Sequence, residues 1–139
     1  MFLLDNSAWA RLASERLDRD RADTVAEWMA DLQLVTCLPF LLEAGYSARS
    51  GAERASMMLD LTRLPRVEID QEIELTAMRA QRELAEIGHH RLAPADVIIA
   101  ACAHIAAMGV LHYDHDYDVL SEHTTLAFES EWLAPAGTL

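Results

Sequence analysis

The sequence predicts an α/β fold, a three-layer sandwich in which a mostly parallel central sheet is covered by helices on both faces. Three observations predict it: short apolar runs recur along the 139-residue chain, the segments between them carry apolar residues at helical spacing, and those segments are long enough for right-handed crossovers. No internal repeat and no Gly-, Pro- or Ser-rich linker divides the chain, so residues 1–139 are expected to form a single domain. A chain of that length buries roughly two-thirds of the surface it exposes when unfolded, enough for a core without disulfide or metal staples.

FLL (2–4) is a continuous apolar run ending at Asp5 and reads as a buried strand. Residues 7–17 and 21–31 read as helices, the second carrying Val25, Trp28, Met29 and Leu32 at helical spacing. LVT (34–36) is a second strand, and Pro39 suits the first turn of a helix running to Ala48. Residues 52–63 are helical, and VEI (67–69) is a third strand at a sheet edge. Residues 71–87 show helical periodicity through Ile73, Met78, Leu84 and Ile87, and Gly88 stops them. Pro94 opens a helix containing VIIAACAHIAA, which Gly109 ends. VLHY (110–113) is a strand, 117–121 a short helical turn and TLAF (125–128) a last strand.

The charge balance is lopsided, with 23 acids against 11 bases and a net charge of −12; every base is an arginine. Such a field argues against tight non-specific binding of a polyanion, which needs clustered cations. Nucleic-acid chemistry would have to come from a local site that recruits metal cations, and a basic protein partner is the other consequence. The start, MFLLDNSAW, has no basic region of the signal-peptide kind. The longest apolar stretch, VIIAACAHIAAMGVL, is interrupted by His104 and falls short of the ~20 residues a bilayer span needs. No membrane association and a cytoplasmic location are expected. Cys37 and Cys102 match no metal or disulfide spacing and are expected to pack as small hydrophobes.

In a parallel sheet, strand C-termini and helix N-termini share one rim, where open α/β sheets bind ligands. Asp5 follows the first strand and Asp114 the fourth, Glu43 lies early in the helix after the second strand, and Asp96 lies in the first turn after Pro94. Singly, each has a plainer reading: Asp5 with Ser7 as a helix cap, Asp96 as a complement to the helix dipole, Glu43 and the 114–118 acids as solvated residues. Together at one rim they would repel unless a divalent cation neutralised them, and all-oxygen ligation selects magnesium or manganese over zinc. No nucleophile elbow, phosphate loop or cysteine–base pair offers another chemistry. The stretch HYDHDYD (112–118) invites a calcium loop, but Val119 stands where glycine is needed and Thr125 where glutamate is needed. A zinc site from His112, His115 and His123 has no recognisable spacing, and His89-His90 reads as an exposed helix-terminal pair.

With these residues placed, FLLDNSAW, PFLLEAGYSAR, LAPADVIIAACA and VLHYDHDYDVL followed by TTLAFE occur in an order and spacing that resembles the PIN-domain ribonucleases, and within them the VapC toxins of VapBC pairs. The resemblance covers nearly the whole chain. It implies a Mg2+-dependent endoribonuclease, with Mn2+ as a possible substitute, and an acidic constellation of Asp5, Glu43, Asp96 and Asp114. Asp116 would be a supporting metal ligand, Asn6 and Ser7 polar helpers, and Arg11 and Arg49 candidates for RNA phosphate contacts. Asp118 lies beyond the motif and is left out of the site. The resemblance further implies RNA as substrate, a cognate VapB-type antitoxin, a homodimer that assembles with it, and DNA contact only through the antitoxin. Two other readings stay open: an acidic interaction module without catalysis, and an RNA-processing PIN nuclease that is not a toxin.

Overall fold

The computed structural model describes residues 1–139, in the order β1 (Phe2–Leu4), α1 (Asn6–Trp9), α2 (Arg19–Ala30), β2 (Leu34–Cys37), α3 (Leu38–Tyr46), α4 (Gly51–Leu61), β3 (Arg66–Val67), α5 (Gln71–Glu86), α6 (Pro94–Ala106), β4 (Gly109–His112), α7 (Asp116–His123) and β5 (Ser130–Trp132). The five strands form one sheet in the order β3-β2-β1-β4-β5, and every pairing is parallel. The sheet grows outward from β1 in both directions. Right-handed crossovers therefore put the helices before β3 and those after it on opposite faces. Leu3, Leu4, Leu34, Val35, Val110 and Leu111 of the three central strands are buried, as unbroken apolar strands covered on both faces must be. No helix is long and apolar enough to cross a membrane.

Helix starts follow from short polar caps. Asp18, Ser50 and Asp70 each accept a hydrogen bond from the backbone N–H three residues on, at 3.1, 3.1 and 2.9 Å. Pro39 and Pro94 occupy first turns, where a missing N–H costs nothing. Gly88, at φ +81°, follows α5 in the left-handed conformation that ends helices.

Three expectations need correction. The helix expected over 7–17 is only α1, because Arg11 and Leu12 bond back three residues, to Ala8 and Trp9, and the chain continues as turns until Asp18 caps α2. The last strand is 130–132, not 125–128. The TLAF backbone is claimed by side chains: Glu83 accepts from the Thr125 N–H and hydroxyl at 2.6 and 2.7 Å, and His104 Nδ1 accepts from the Ala127 N–H at 2.9 Å. Donors satisfied that way have no need of a neighbouring strand. Gly109 does not end α6, which stops at Ala107 in a left-handed conformation (φ 54°). Glycine is required at 109 because a Cβ there would lie 2.5 Å from Phe2 Cδ1 and 3.0 Å from the Glu129 carbonyl oxygen. Cys37 and Cys102 are buried and free, as expected, but they sit side by side in the core, where their mutual hydrogen bond and burial raise the Cys37 thiol.

Candidate metal centre

Strand order reverses between β1 and β4, and the crevice at such a switch point is where open α/β sheets hold ligands. Leu4 pairs with Leu111 there, and the Asp5 N–H donates to the Leu111 carbonyl at 3.0 Å. The next residues of both strands therefore leave the sheet together. Asp5 is 3% exposed, and both of its carboxylate oxygens are held. Oδ2 accepts from the Ser7 N–H at 2.7 Å and from the Ser7 hydroxyl, while Oδ1 accepts from the Tyr117 hydroxyl at 2.8 Å. Asp5 thus caps α1 and faces the crevice at once. Ser7 Oγ also accepts from the Tyr113 N–H at 2.9 Å, which ties Asp5 to the turn after β4.

Asp96 sits in the first turn of α6, 8% exposed, on a face shared with Ile99 and Ala100. Its Oδ1 lies 3.4 Å from the Tyr117 hydroxyl, so one phenol stands between Asp5 and Asp96. Carboxylate oxygens of Asp96, Asp114 and Asp116 lie within 4.8 Å of one another, an arrangement that can hold a metal ion. Burial first, then the charges of Asp5, Asp114, Asp116 and Glu43, push the Asp96 carboxyl from 3.8 up to about 7. Burial and Asp114 raise Asp116, and burial and Asp5 raise Glu43 on α3. The donor set is all carboxylate and lacks a compensating arginine among these causes, so its excess negative charge fits a hard divalent cation.

Of the acids expected from the sequence, Asp96, Asp114 and Asp116 form the tight group, Asp5 is joined to Asp96 through Tyr117, and Glu43 on α3 lies outside the group. Ser7 holds Asp5 through its N–H and its hydroxyl. The buried Asn6 Oδ1 has no hydrogen-bond partner in the protein. Arg11 donates to the Ser7 carbonyl at 2.9 Å and lies 4.8 Å over the Tyr113 ring, beside the site. Arg49 is exposed, bonded only through its backbone N–H to Glu53.

Sequence reasoning missed several participants. Tyr117 is wholly buried and its hydroxyl reaches two acids; burial and those charges raise its pKa, keeping it a donor. The only sequence signal was an aromatic one residue past Asp116 on the inward face of a short helix. Asp118 accepts from Ser130 Oγ at 2.7 Å, Trp132 Nε1 at 3.0 Å and His115 Nδ1 at 3.2 Å. Burial pushes its carboxyl up, but those hydrogen bonds together hold it below the ordinary range. The largest cleft, about 680 Å3, lies beside the acids, running from Leu17 and Arg21 past His115 and Asp118 to Trp132 and Pro135. Arg21 in it is engaged by Glu131 at 2.6 Å and by the carbonyls of Trp132 and Leu133, so it is not a free phosphate contact.

Comparison with known proteins identifies the family. The PIN domain family model matches residues 2–122. Ribonuclease VapC18 of Mycobacterium tuberculosis is 34% identical over 145 residues, covering 100% of this chain and 99% of the relative. Ribonuclease VapC51 of the same organism is 31% identical over 139 residues, covering 99% and 96%. The crystal structure of DNA-bound VapBC from Salmonella typhimurium shares the fold, with a TM-score of 0.71 at 19% identity over 96% of this chain and 98% of that one. The chain therefore belongs to the PIN-domain family and, within it, to the VapC ribonucleases.

Proposed function

We propose that this chain is the toxin of a type II toxin–antitoxin pair, a Mg2+-dependent endoribonuclease of the cytoplasm that a VapB-type antitoxin neutralises. The observation that carries the reading is the convergence of Asp96, Asp114 and Asp116 within 4.8 Å, next to the clamped Asp5, at the switch point of the sheet. Asp96, Asp114 and Asp116 would hold the ion, Asp5 and Glu43 completing the acidic wall. When bound, a divalent ion activates water and offsets charge on a phosphodiester. The protein's own groups do the rest. Ser7 and Tyr117 fix the Asp5 carboxylate, Glu43 faces that carboxylate with its own carboxyl raised by burial and by Asp5, and Arg11 is placed to meet a phosphate that enters beside Tyr113. Arg49 remains a solvated cation that RNA could recruit.

Partner assembly is supported by the net charge of −12, which suits a basic antitoxin segment, and by α3. Leu38, Leu42 and Tyr46, one helical turn apart and exposed at 43%, 60% and 92%, share that helix with Glu43. Such a flank suits burial by an antitoxin or a second copy. Solved relatives include VapBC complexes, two of them bound to DNA, which supports DNA contact through the antitoxin.

The test is sequencing of RNA 5′ ends after brief induction of wild type and Asp96→Asn, with and without the co-expressed neighbouring antitoxin. New ends at defined sites, absent in the variant and suppressed by the antitoxin, are expected. Identical ends from wild type and variant would overturn the site. A purified protein that cleaves RNA unchanged in chelator would overturn the metal dependence.

A further inference from the structure

The loop that carries Asp114 and Asp116 is anchored by a directional chain of hydrogen bonds. The Asp114 N–H donates to His112 Nδ1 at 3.1 Å. His112 Nε2 lies 2.7 Å from Ser130 Oγ, and Ser130 Oγ donates to Asp118 Oδ1 at 2.7 Å. The Trp132 indole N–H closes on the same carboxylate at 3.0 Å. A backbone N–H can only donate, so Nδ1 must be the bare ring nitrogen and Nε2 must carry the hydrogen. Ser130 then accepts from His112 and passes its own hydrogen to Asp118. Every donor in the chain finds an acceptor, the Trp132 N–H spanning both Asp118 oxygens, at 3.2 Å from Oδ1 and 3.0 Å from Oδ2.

The chain connects the edge strand β5 to the turn after β4. Its far end is Asp114, whose Oδ1 in turn accepts from the Asp116 N–H at 3.0 Å. Two of the three acids grouped within 4.8 Å thus hang from one backbone N–H held by His112. Burial of His112 is complete, and its ring packs 4.8 Å from Tyr117 and 5.0 Å from Trp132, so it cannot swing away. Ser130 and Trp132 lie past residue 122, where the family model ends, so the anchor comes from a part of the chain outside that match.

We propose that His112, in its Nε2–H tautomer and braced by Ser130 and Asp118, is a positioning residue that sets the spacing of Asp114 and Asp116 and thereby the affinity of the acidic group for a divalent ion. The proposal rests on reading that group as the metal site. Partners that orient ligands in this way typically alter metal affinity by about 10- to 100-fold when lost.

Two isosteric replacements separate positioning from packing. His112→Asn places an amide oxygen where Nδ1 stood and keeps the Asp114 contact, but it cannot reach Ser130. His112→Gln places an amide nitrogen where Nε2 stood and keeps the Ser130 contact, but it leaves the Asp114 N–H bare. Glutamine fills the ring volume better, so a packing role ranks it above asparagine. Mn2+ binding to the protein alone, read from the electron paramagnetic resonance signal of free Mn2+, is expected to weaken about tenfold in His112→Gln and at most about threefold in His112→Asn. Ser130→Ala, on the half-buried edge strand, removes a single hydroxyl, is the variant least able to disturb folding and should fall between them. The imidazole 15N shifts of the metal-free wild type should report Nε2–H. Equal affinities in all three variants, asparagine binding more weakly than glutamine, or an Nδ1–H tautomer would overturn the proposal. Wild-type-like Mn2+ binding by Asp96→Asn would instead overturn the metal-site reading beneath it, a failure the tautomer measurement does not share.

Discussion

Asp96→Asn should make the metal-free protein more stable at high pH, although it damages the site. The Asp96 carboxyl holds its proton up to about 7 in the folded chain, against 3.8 ordinarily. The folded state therefore binds one more proton than the unfolded state between those values, and stability falls as pH rises through that window. Below about pH 3 the carboxyl is neutral in both states and costs nothing; above 7 the full difference, roughly 4 kcal/mol, opposes folding. Asparagine is neutral throughout. In chelator, the variant should exceed the wild type by only about 1 kcal/mol near pH 4.5 and by several kcal/mol at pH 8, about 10 °C in melting temperature for a domain of this size. Asp116 and Glu43 are raised in the same direction and remain in both proteins, so the difference between the two melting curves reports the Asp96 charge together with its coupling to them. Thermal melts from pH 4.5 to 8.5 make the measurement. Parallel curves, or a wild type that gains on the variant as pH rises, would refute the claim that buried like charge dominates at this position.

Tyr117→Phe keeps the ring but leaves Asp5 Oδ1 without its donor, and should cost about 1–3 kcal/mol in urea denaturation of the metal-free protein; an unchanged midpoint would show that the phenol clamps nothing. Gly109→Ala forces a methyl against the Phe2 ring and the Glu129 carbonyl and should destabilise by about 1–3 kcal/mol, read the same way, whereas Gly51→Ala, with open space around it, should be neutral or stabilising. Cys37 and Cys102 are wholly buried, so a thiol reagent should label them only as fast as the protein opens; immediate labelling of either would contradict their place in the core.

Asp5, Asp96 and Asp114 were legible because each stands at a punctuation mark in the pattern, the end of an apolar run or the first turn after a proline, and a parallel sheet brings such marks to one rim. What sits between the acids was not legible. Whether the Tyr117 hydroxyl reaches Asp5 depends on the depth at which α7 packs, and no spacing within HYDHDYD encodes that. Asp118 was set aside for lying beyond the motif, yet its partners Ser130 and Trp132 come from a strand expected in the wrong place. The two errors share a cause. TLAF has strand-forming residues, but Glu83 and His104 capture its N–H groups from α5 and α6, and side-chain competition across the fold is invisible to local propensity. The overrun of α1 is of the same kind: 7–17 has helical composition, and turns that deliver Leu17 to the core override it.

The outermost strands are short, two residues in β3 and three in β5. An edge that short offers an incoming chain almost no ladder to extend. Blunted margins leave no long row of free backbone groups for a second chain to join, so lengthening of the sheet is closed as a route to aggregation.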